Sequence, residues 1–404
     1  MFDLLKIVAV FLVLVFLTLK KVSLWISLLI TTVLLGLLFR LPIGRIAMDL
    51  LSSAWDGDTL LLLGALVAIL FFSNLLKETG RLEKILEGFR HLLKDVRVVV
   101  VLLPAIIGLM PIIGGALLSA PMVVPGCDEL RLSEERRTFL NYWFRHIWEF
   151  VLPTYPALIL AATLMRIPVR KLCWINLPFT PLAILVGILV GYWGVSKPVR
   201  REDGAGSISG WELFKNLFPL LFGILLVVGF KVELAYAFGV TILGMIVFYR
   251  IGKHKVLKGF KESLGLELLL TVTLVMGFKR VLESSQAIPA VSATLSSSGV
   301  PIWLIAMLIP LLIGLMTGFT VSPIAIGFPI LIPLLRGDPN FYHYMGAGFV
   351  SGICGVLLSP FHPCLVLTRE FFHADWKGVY RLVWLPVASL LGAALLMIFL
   401  TGRS

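Results

Sequence analysis

The chain has 404 residues, of which 59% are hydrophobic and only 14% charged, with a formal net charge of +12 and a mean hydropathy of +0.99. So little polar surface excludes a soluble globule and requires a polytopic membrane protein. The basic excess does not call for nucleic acid, because the lysines and arginines fall in short loops between apolar runs, where they set membrane orientation.

In chain order, apolar runs of the length that a ~30 Å hydrocarbon core demands cover 4–19, 22–39, 59–76, 139–164, 173–194, 213–230, 232–249, 265–282, 343–368 and 379–400. The first, opening "MFDLLKIVAV", lacks a basic n-region and a small-residue cleavage site, so it reads as a retained span. After the third run, "KETGRLEKILEGFRHLLKD" (77–95) puts Leu82, Ile85, Leu86, Phe89, Leu92 and Leu93 at helical spacing with charges opposite. This predicts an amphipathic helix lying on the cytoplasmic interface. Two apolar stretches, 98–125 and 300–335, are too long and too interrupted by proline and glycine to be simple spans. Between 194 and 213 lies "SKPVRREDGAGSISG" (196–210), basic and rich in glycine and serine, which reads as a cytoplasmic linker.

Sliding the chain against itself reveals a repeat. "PAIIGLMPIIGG" (104–115) aligns with "PLLIGLMTGFTV" (310–321) at an offset of 206, and the two prolines of "VLPTYPALIL" recur in "LLSPFHPCLVL" at an offset of 207. The halves are 1–195 and 211–404. If 98–125 and 300–335 are re-entrant hairpins, the lysines and arginines divide 23 to 11 between the two sides; if both cross fully they divide evenly. Only the hairpins give the charge bias that orients a membrane protein. Each half then has five crossings, an odd number, so the second is inverted and both termini lie outside. The predicted fold is all-α: two inverted repeats, each of five transmembrane helices plus one re-entrant hairpin, with a broken helix at 139–164 and at 343–368.

The helix breaks fall at "MPIIGGALLSAP" (110–121), "LPTYP" (152–156), "MTGFTVSPIAIGFP" (316–329) and "LLSPFHP" (357–363). Irregular backbone at membrane depth persists only where it is buried in protein or lines a polar cavity. Inverted repeats with broken helices meeting near the midplane are a transporter architecture, whose half-helix N-termini suit an anion and whose freed carbonyls suit a cation. The residues expected to bind substrate are Gly114, Gly115 and Ser119 at the first tip; Thr317, Thr320 and Ser322 at the second; and Thr154 and Ser359 in the broken spans. Glycine and proline also serve mere kinking and close packing in membrane helices, but four breaks paired by a repeat favour a site.

"NYWFRHIWEF" (141–150) places Arg145, His146 and Glu149 inside a crossing. Intramembrane charge is a functional hypothesis by default. Arg145 is expected to hold a substrate carboxylate, and His146, Glu149 and His362 to carry a coupling ion; a structural ion pair between Arg145 and Glu149, four residues apart, is the alternative. The four cysteines (Cys127, Cys173, Cys354, Cys364) have no metal-ligand spacing and read as small buried hydrophobes. No metal site is expected. No HExxH, paired buried aspartates or nucleotide motif is present.

The order of spans, hairpin, broken span and last span, repeated in inverted form, resembles the ion-transporter superfamily that includes divalent-anion/sodium symporters, gluconate permeases and citrate transporters. It looks closest to a branch of small prokaryotic membrane proteins assigned there. Sodium/dicarboxylate members carry Ser-Asn-Thr at the corresponding places; here "LLSAP" and "TVSPI" offer Ser119 and Ser322 for the serine, and no Asn-Thr follows. The resemblance implies that the amphipathic arm joins a fixed scaffold to a mobile domain that moves like an elevator. The expectation is a secondary transporter of a small organic anion, a carboxylate, coupled to H+ or Na+, in the prokaryotic inner membrane as a homodimer, without other cofactor and not an enzyme. A membrane-embedded hydrolase and a passive anion channel are the alternatives.

Overall fold

The computed structural model describes residues 2–20, 22–92, 95–110, 115–195, 210–285 and 300–401. Among these every regular element is helical. The linker at 196–209 and Gly114 lie outside the described residues.

The predicted simple spans become α1 (Phe2–Leu19), α2 (Leu24–Leu38), α4 (Gly57–Glu78), α12 (Gly210–Val228), α13 (Leu234–Phe248), α15 (Leu266–Ser284) and α20 (Trp376–Thr401). The run at 173–194 is instead divided into α10 (Val169–Asn176) and α11 (Phe179–Tyr192), bent by 41°. Pro178 supplies the reason: it has no N–H to continue the helical hydrogen bonds, although Leu177 and Pro178 both keep helical φ and ψ. α4, α12 and α20 are long and apolar enough to cross a bilayer by themselves. On α20, Trp384, Leu385, Leu396, Phe399 and Leu400 point outward, as Phe248 does at the end of α13. An apolar exterior of this extent is stable only against lipid, so the molecule is a polytopic membrane protein.

Two helices had no counterpart among the predicted spans: α3 (Ile43–Ala54) and α14 (Lys253–Ser263). Each is apolar on one face only. α2 and α3 pack on α15, while α13 and α14 pack on α4, where Asn74 reaches the Ser263 hydroxyl at 3.1 Å and Lys258 meets Glu78 at 2.8 Å. Of the arm at 77–95, Arg81–Leu92 form the helix α5, with Leu82, Ile85 and Leu86 buried and Glu83, Lys84 and Glu87 exposed, while a turn at Thr79 and Gly80 separates it from the end of α4. It docks on α12, and Arg81 donates to Asn216 at 2.7 Å while stacking over the Tyr249 ring.

Helix ends carry a second pattern. Of the non-glycine residues with positive φ, Arg40, Arg131, Arg166, Lys231 and Arg250 are basic and His373 is the exception; each follows the C-terminus of a helix. A cation there faces the negative end of the helix dipole, which offsets part of the cost of left-handed backbone.

The interrupted segments form the interior. α6 (Val96–Gly108) and α7 (Gly115–Glu129) pack against each other and against α8 (Glu134–His146); Pro121 and Pro125 lie inside α7 without ending it. α16 (Ile302–Thr317) ends before a π turn (Pro323–Gly327) that leads into α17 (Phe328–Leu335). α18 (Phe341–Leu358) packs closely on α16 and is followed by α19 (Pro363–Phe372); α8 is followed, after a turn, by α9 (Pro156–Met165).

Candidate functional site

Each break has a local cause. α9 and α19 both begin with proline, at Pro156 and Pro363, with Tyr155 and His362 as the preceding N-caps. Proline is at home in the first helical turn, where its missing N–H costs nothing, and it prevents the preceding helix from running through. α8 stops at His146, and Glu149 lies in the turns that follow, so the helical spacing assumed for Arg145 and Glu149 does not apply. α16 ends on Gly318, left-handed at φ +70°, where a Cβ would lie 2.8 Å from the His362 nitrogen. Glycine is required there twice over, for the sign of φ and for the approach of another chain segment.

These breaks meet. His146 Nε2 and His362 Nε2 are 3.0 Å apart although the residues are separated by 216 positions. His146 Nδ1 is 2.6 Å from the Tyr142 carbonyl, and His362 Nδ1 is 2.6 Å from the Gly318 carbonyl. A carbonyl only accepts, so both Nδ1 atoms carry the proton and donate, and in the neutral rings both Nε2 atoms are bare lone pairs facing one another. The Cys364 sulfur joins them: one ligand atom from each of His146, His362 and Cys364 lies within 4.8 Å of the others, and all three residues are buried. Cys364 also touches the backbone of Ala116, in the first turn of α7. Glu149 Oε1 is 4.0 Å from His146 Nε2, and Glu149 Oε2 is buried with no hydrogen-bond partner among the described residues.

Arg145, on the adjacent position, is 3% exposed. Its Nη1 donates to the Tyr155 hydroxyl at 2.8 Å and its Nη2 to the Met110 carbonyl at 3.3 Å. The Tyr155 hydroxyl in turn donates to the carbonyl of Gly108. The guanidinium is thus tied to the end of α6 and to the N-cap of α9. Gly115 completes the cradle, because a Cβ there would lie 2.7 Å from Arg145 Nε and 3.3 Å from Ile107. Gly115→Ala is therefore expected to fold, at a cost of about 1–3 kcal/mol for overpacking, while displacing the guanidinium. Thermal melts with and without anions check this: the basal melt persists and any anion-induced rise is lost.

The hydroxyls expected at the site divide into two groups. Ser119 donates to the Ala116 carbonyl at 3.1 Å, Thr317 to the Ile313 carbonyl at 2.8 Å, and Ser359 accepts from the Phe361 amide at 3.2 Å, so all three serve the local backbone. The hydroxyls of Thr154 and Ser322 are buried without a partner among the described residues, and Thr320 is half-buried. Buried polar atoms are rarely left unpaired, so among the hydroxyls expected at the site Thr154 and Ser322 are the two not already serving the local backbone. Sequence reasoning missed Cys364, read as a small hydrophobe. It is buried as expected, but its sulfur sits beside two imidazoles.

Residues 3–401 match the family described as "Protein of unknown function (DUF401)". Among solved structures, the chain is similar to the YdaH transporter of Alcanivorax borkumensis, described as having an unusual topology. The TM-score is 0.56 at 13% identity, over 89% of this chain and 87% of that chain. At such low identity the likeness is one of fold. No curated protein matches the sequence.

Proposed function

From the premise that this chain belongs to the DUF401 family along nearly its whole length, we propose that it is a secondary active transporter of a small organic anion, a carboxylate, coupled to H+ or Na+. The observation that carries the reading is the buried Arg145 guanidinium, lodged between the break that separates α8 from α9 and the end of α6. A permanent cation at such depth is costly unless a function retains it, and its planar fork suits a carboxylate. The N-termini of α9, α19 and the π turn, whose N-caps make no side-chain hydrogen bond to the turn that follows, add the positive ends of their dipoles to the field. Glu149 Oε1, 4.0 Å from His146 Nε2, is proposed to carry the coupling ion together with His146 and His362.

Element spacing supports the inverted repeat and, with it, alternating access. α1, α2, α3, α4, α6, α7, α8, α9 and α10 are matched by α12, α13, α14, α15, α16, the π turn, α18, α19 and α20, each pair starting 206 to 210 residues apart. Tyr155 and His362 occupy the same N-cap position in the two halves. The crossed packing of α2 and α3 on α15, and of α13 and α14 on α4, is what two intertwined halves produce. On this reading the α5 arm links scaffold to mobile domain in an elevator movement. The protein sits as a homodimer in the prokaryotic inner membrane with both termini outside. The rival hydrolase has less support, since Ser119 and Ser359 bond to local backbone rather than to a base.

Purified protein reconstituted in liposomes, offered a panel of radiolabelled small carboxylates under an imposed proton or sodium gradient, tests the proposal. Accumulation of one carboxylate against its gradient, abolished when the ion gradient is collapsed, is the expected result. Equilibration without accumulation would make the protein a channel, and no flux of any carboxylate through correctly inserted protein would sink the anion assignment.

A further inference from the structure

The pair of histidines poses a problem that a transported anion does not solve. With each Nδ1–H committed to a backbone carbonyl, two Nε2 lone pairs face each other at 3.0 Å. That geometry is repulsive unless something positive lies between them. Histidines that ligate metals have this form: one ring nitrogen donates to a carbonyl or carboxylate, which fixes the tautomer and aims the other nitrogen at the ion.

We propose that His146 Nε2, His362 Nε2 and Cys364 Sγ are the ligands of a divalent transition-metal site, best suited to zinc, with Glu149 as the fourth ligand. A tetrahedral zinc ion with ordinary bond lengths holds two nitrogens roughly 3.3 Å apart and a nitrogen and a sulfur roughly 3.6 Å apart. The imidazoles are within a few tenths of an ångström of that spacing, and the sulfur lies within 4.8 Å of both and in hydrogen-bond contact with His146. Glu149 Oε1 stands 4.0 Å from His146 Nε2, and its other oxygen has no partner among the described residues. A thiol against one imidazole would equally suit a nucleophile and its base; a second imidazole, aimed at the first, has no place in such a dyad. Two imidazoles and a thiolate also bind copper, but a carboxylate as the fourth neighbour, in place of a thioether, favours zinc.

Charge supports the same assignment. Zinc with one thiolate and one carboxylate is neutral overall, which a buried, low-dielectric position favours over an isolated carboxylate. The thiolate's share of negative charge faces the Ala116 backbone in the first turn of α7. If Arg145 receives an anion as proposed above, zinc removes Glu149 as its competitor. The metal site itself does not depend on that reading, and where it is filled His146, His362 and Glu149 hold the metal and leave ion coupling to other groups. Its ligands come from the end of α8, the turn after it and the start of α19, so the ion would staple the two broken helices together.

The full-length protein in detergent, stripped with a chelator, tests this by titration with cobalt(II) alone. Expected are one cobalt per chain, the intense visible bands of a tetrahedral ion, a near-ultraviolet thiolate-to-cobalt band, and displacement of all three signals by zinc. Cys364→Ser should lose the thiolate band, and His362→Gln should weaken cobalt binding by at least the ~10-fold typical of disturbed metal sites. Cys173→Ser, a buried cysteine elsewhere in the chain, should change neither. Wild-type protein that is monodisperse yet gives only the pale spectrum of six-coordinate cobalt, or a thiolate band that survives Cys364→Ser, would overturn the site. Either outcome would leave a proton shared between the two imidazoles as the explanation of their approach. Binding of copper(I) with no response to cobalt or zinc would overturn the choice of metal. None of these readouts involves transport, so failure here and failure to carry an anion are separate results.

Discussion

Gly355→Ala is expected to lower the stability of the protein by at least the ~1–3 kcal/mol typical of overpacking, and Gly355→Val to prevent folding. A Cβ at 355 would fall on the Leu311 carbonyl and within 2.9 Å of the Leu315 nitrogen, both main-chain atoms of α16 that cannot step aside. The same face of α18 carries Gly352, whose Cβ would lie 2.7 Å from Pro323, and Gly348, whose Cβ would lie 2.7 Å from the Ala306 carbonyl. Spaced by four and three residues, these glycines form one stripe along α18. It lets two backbones meet, which is how membrane helices gain packing energy without a hydrophobic driving force. Gly239→Ala in α13 is the control: nothing lies within 4 Å of the added methyl, and alanine is the better helix former. Thermal melts of the detergent-purified variants decide the matter. Equal melting of Gly355→Ala and Gly239→Ala would mean that α16 and α18 are not held at backbone contact. The contact matters beyond stability, since Gly318, at the end of α16, supplies the carbonyl that orients His362.

How much of this was legible follows from what each feature answers to. The spans were legible because lipid demands a continuous apolar run, and most predicted boundaries fall within a few residues of α1, α2, α4, α12, α13, α15 and α20. The breaks were legible because Pro156, Pro363 and Gly318 have backbone preferences that no neighbour overrides. By contrast α3 and α14, "IGRIAMDLLSSA" and "KHKVLKGFKES", bury one face of a short helix and leave no run to detect. The face of α5 was readable by period, but its docking through Arg81 on Asn216 and Tyr249 depends on a partner in the other half of the chain. The approach of His146 to His362 is the extreme case. Periodicity says which side of a helix is apolar; it does not say which of two distant breaks a ring nitrogen will face. Cys364 was misjudged for the same reason, because its burial was predictable and its neighbours were not.

Arg145→Lys is expected to reduce anion uptake by ~10²-fold, the range that follows when one partner of a buried, hydrogen-bonded charge pair is truncated at about 2–5 kcal/mol. Lysine keeps the charge but not the fork, so it cannot grip a carboxylate with two parallel bonds while also holding Tyr155 and the Met110 carbonyl. A structural role for Arg145 makes a different forecast. If the guanidinium only braces α6 against α9, then Tyr155→Phe, which removes the Arg145–Tyr155 bond and the bond from Tyr155 to Gly108, should be as damaging as Arg145→Lys. If it receives the anion, Tyr155→Phe should lower the basal melt through the loss of its two hydrogen bonds, one of them from the guanidinium, yet leave the anion-induced rise in melting temperature in place. The anion dependence of the melting temperature separates the two without a transport assay, because a ligand that binds only the folded state raises it by mass action. Loss of that rise in Arg145→Lys, with the basal melt near that of the parent, assigns the guanidinium to the anion. An intact rise in Arg145→Lys would leave the carboxylate without its proposed anchor and shift attention to the amides at the starts of α9 and α19.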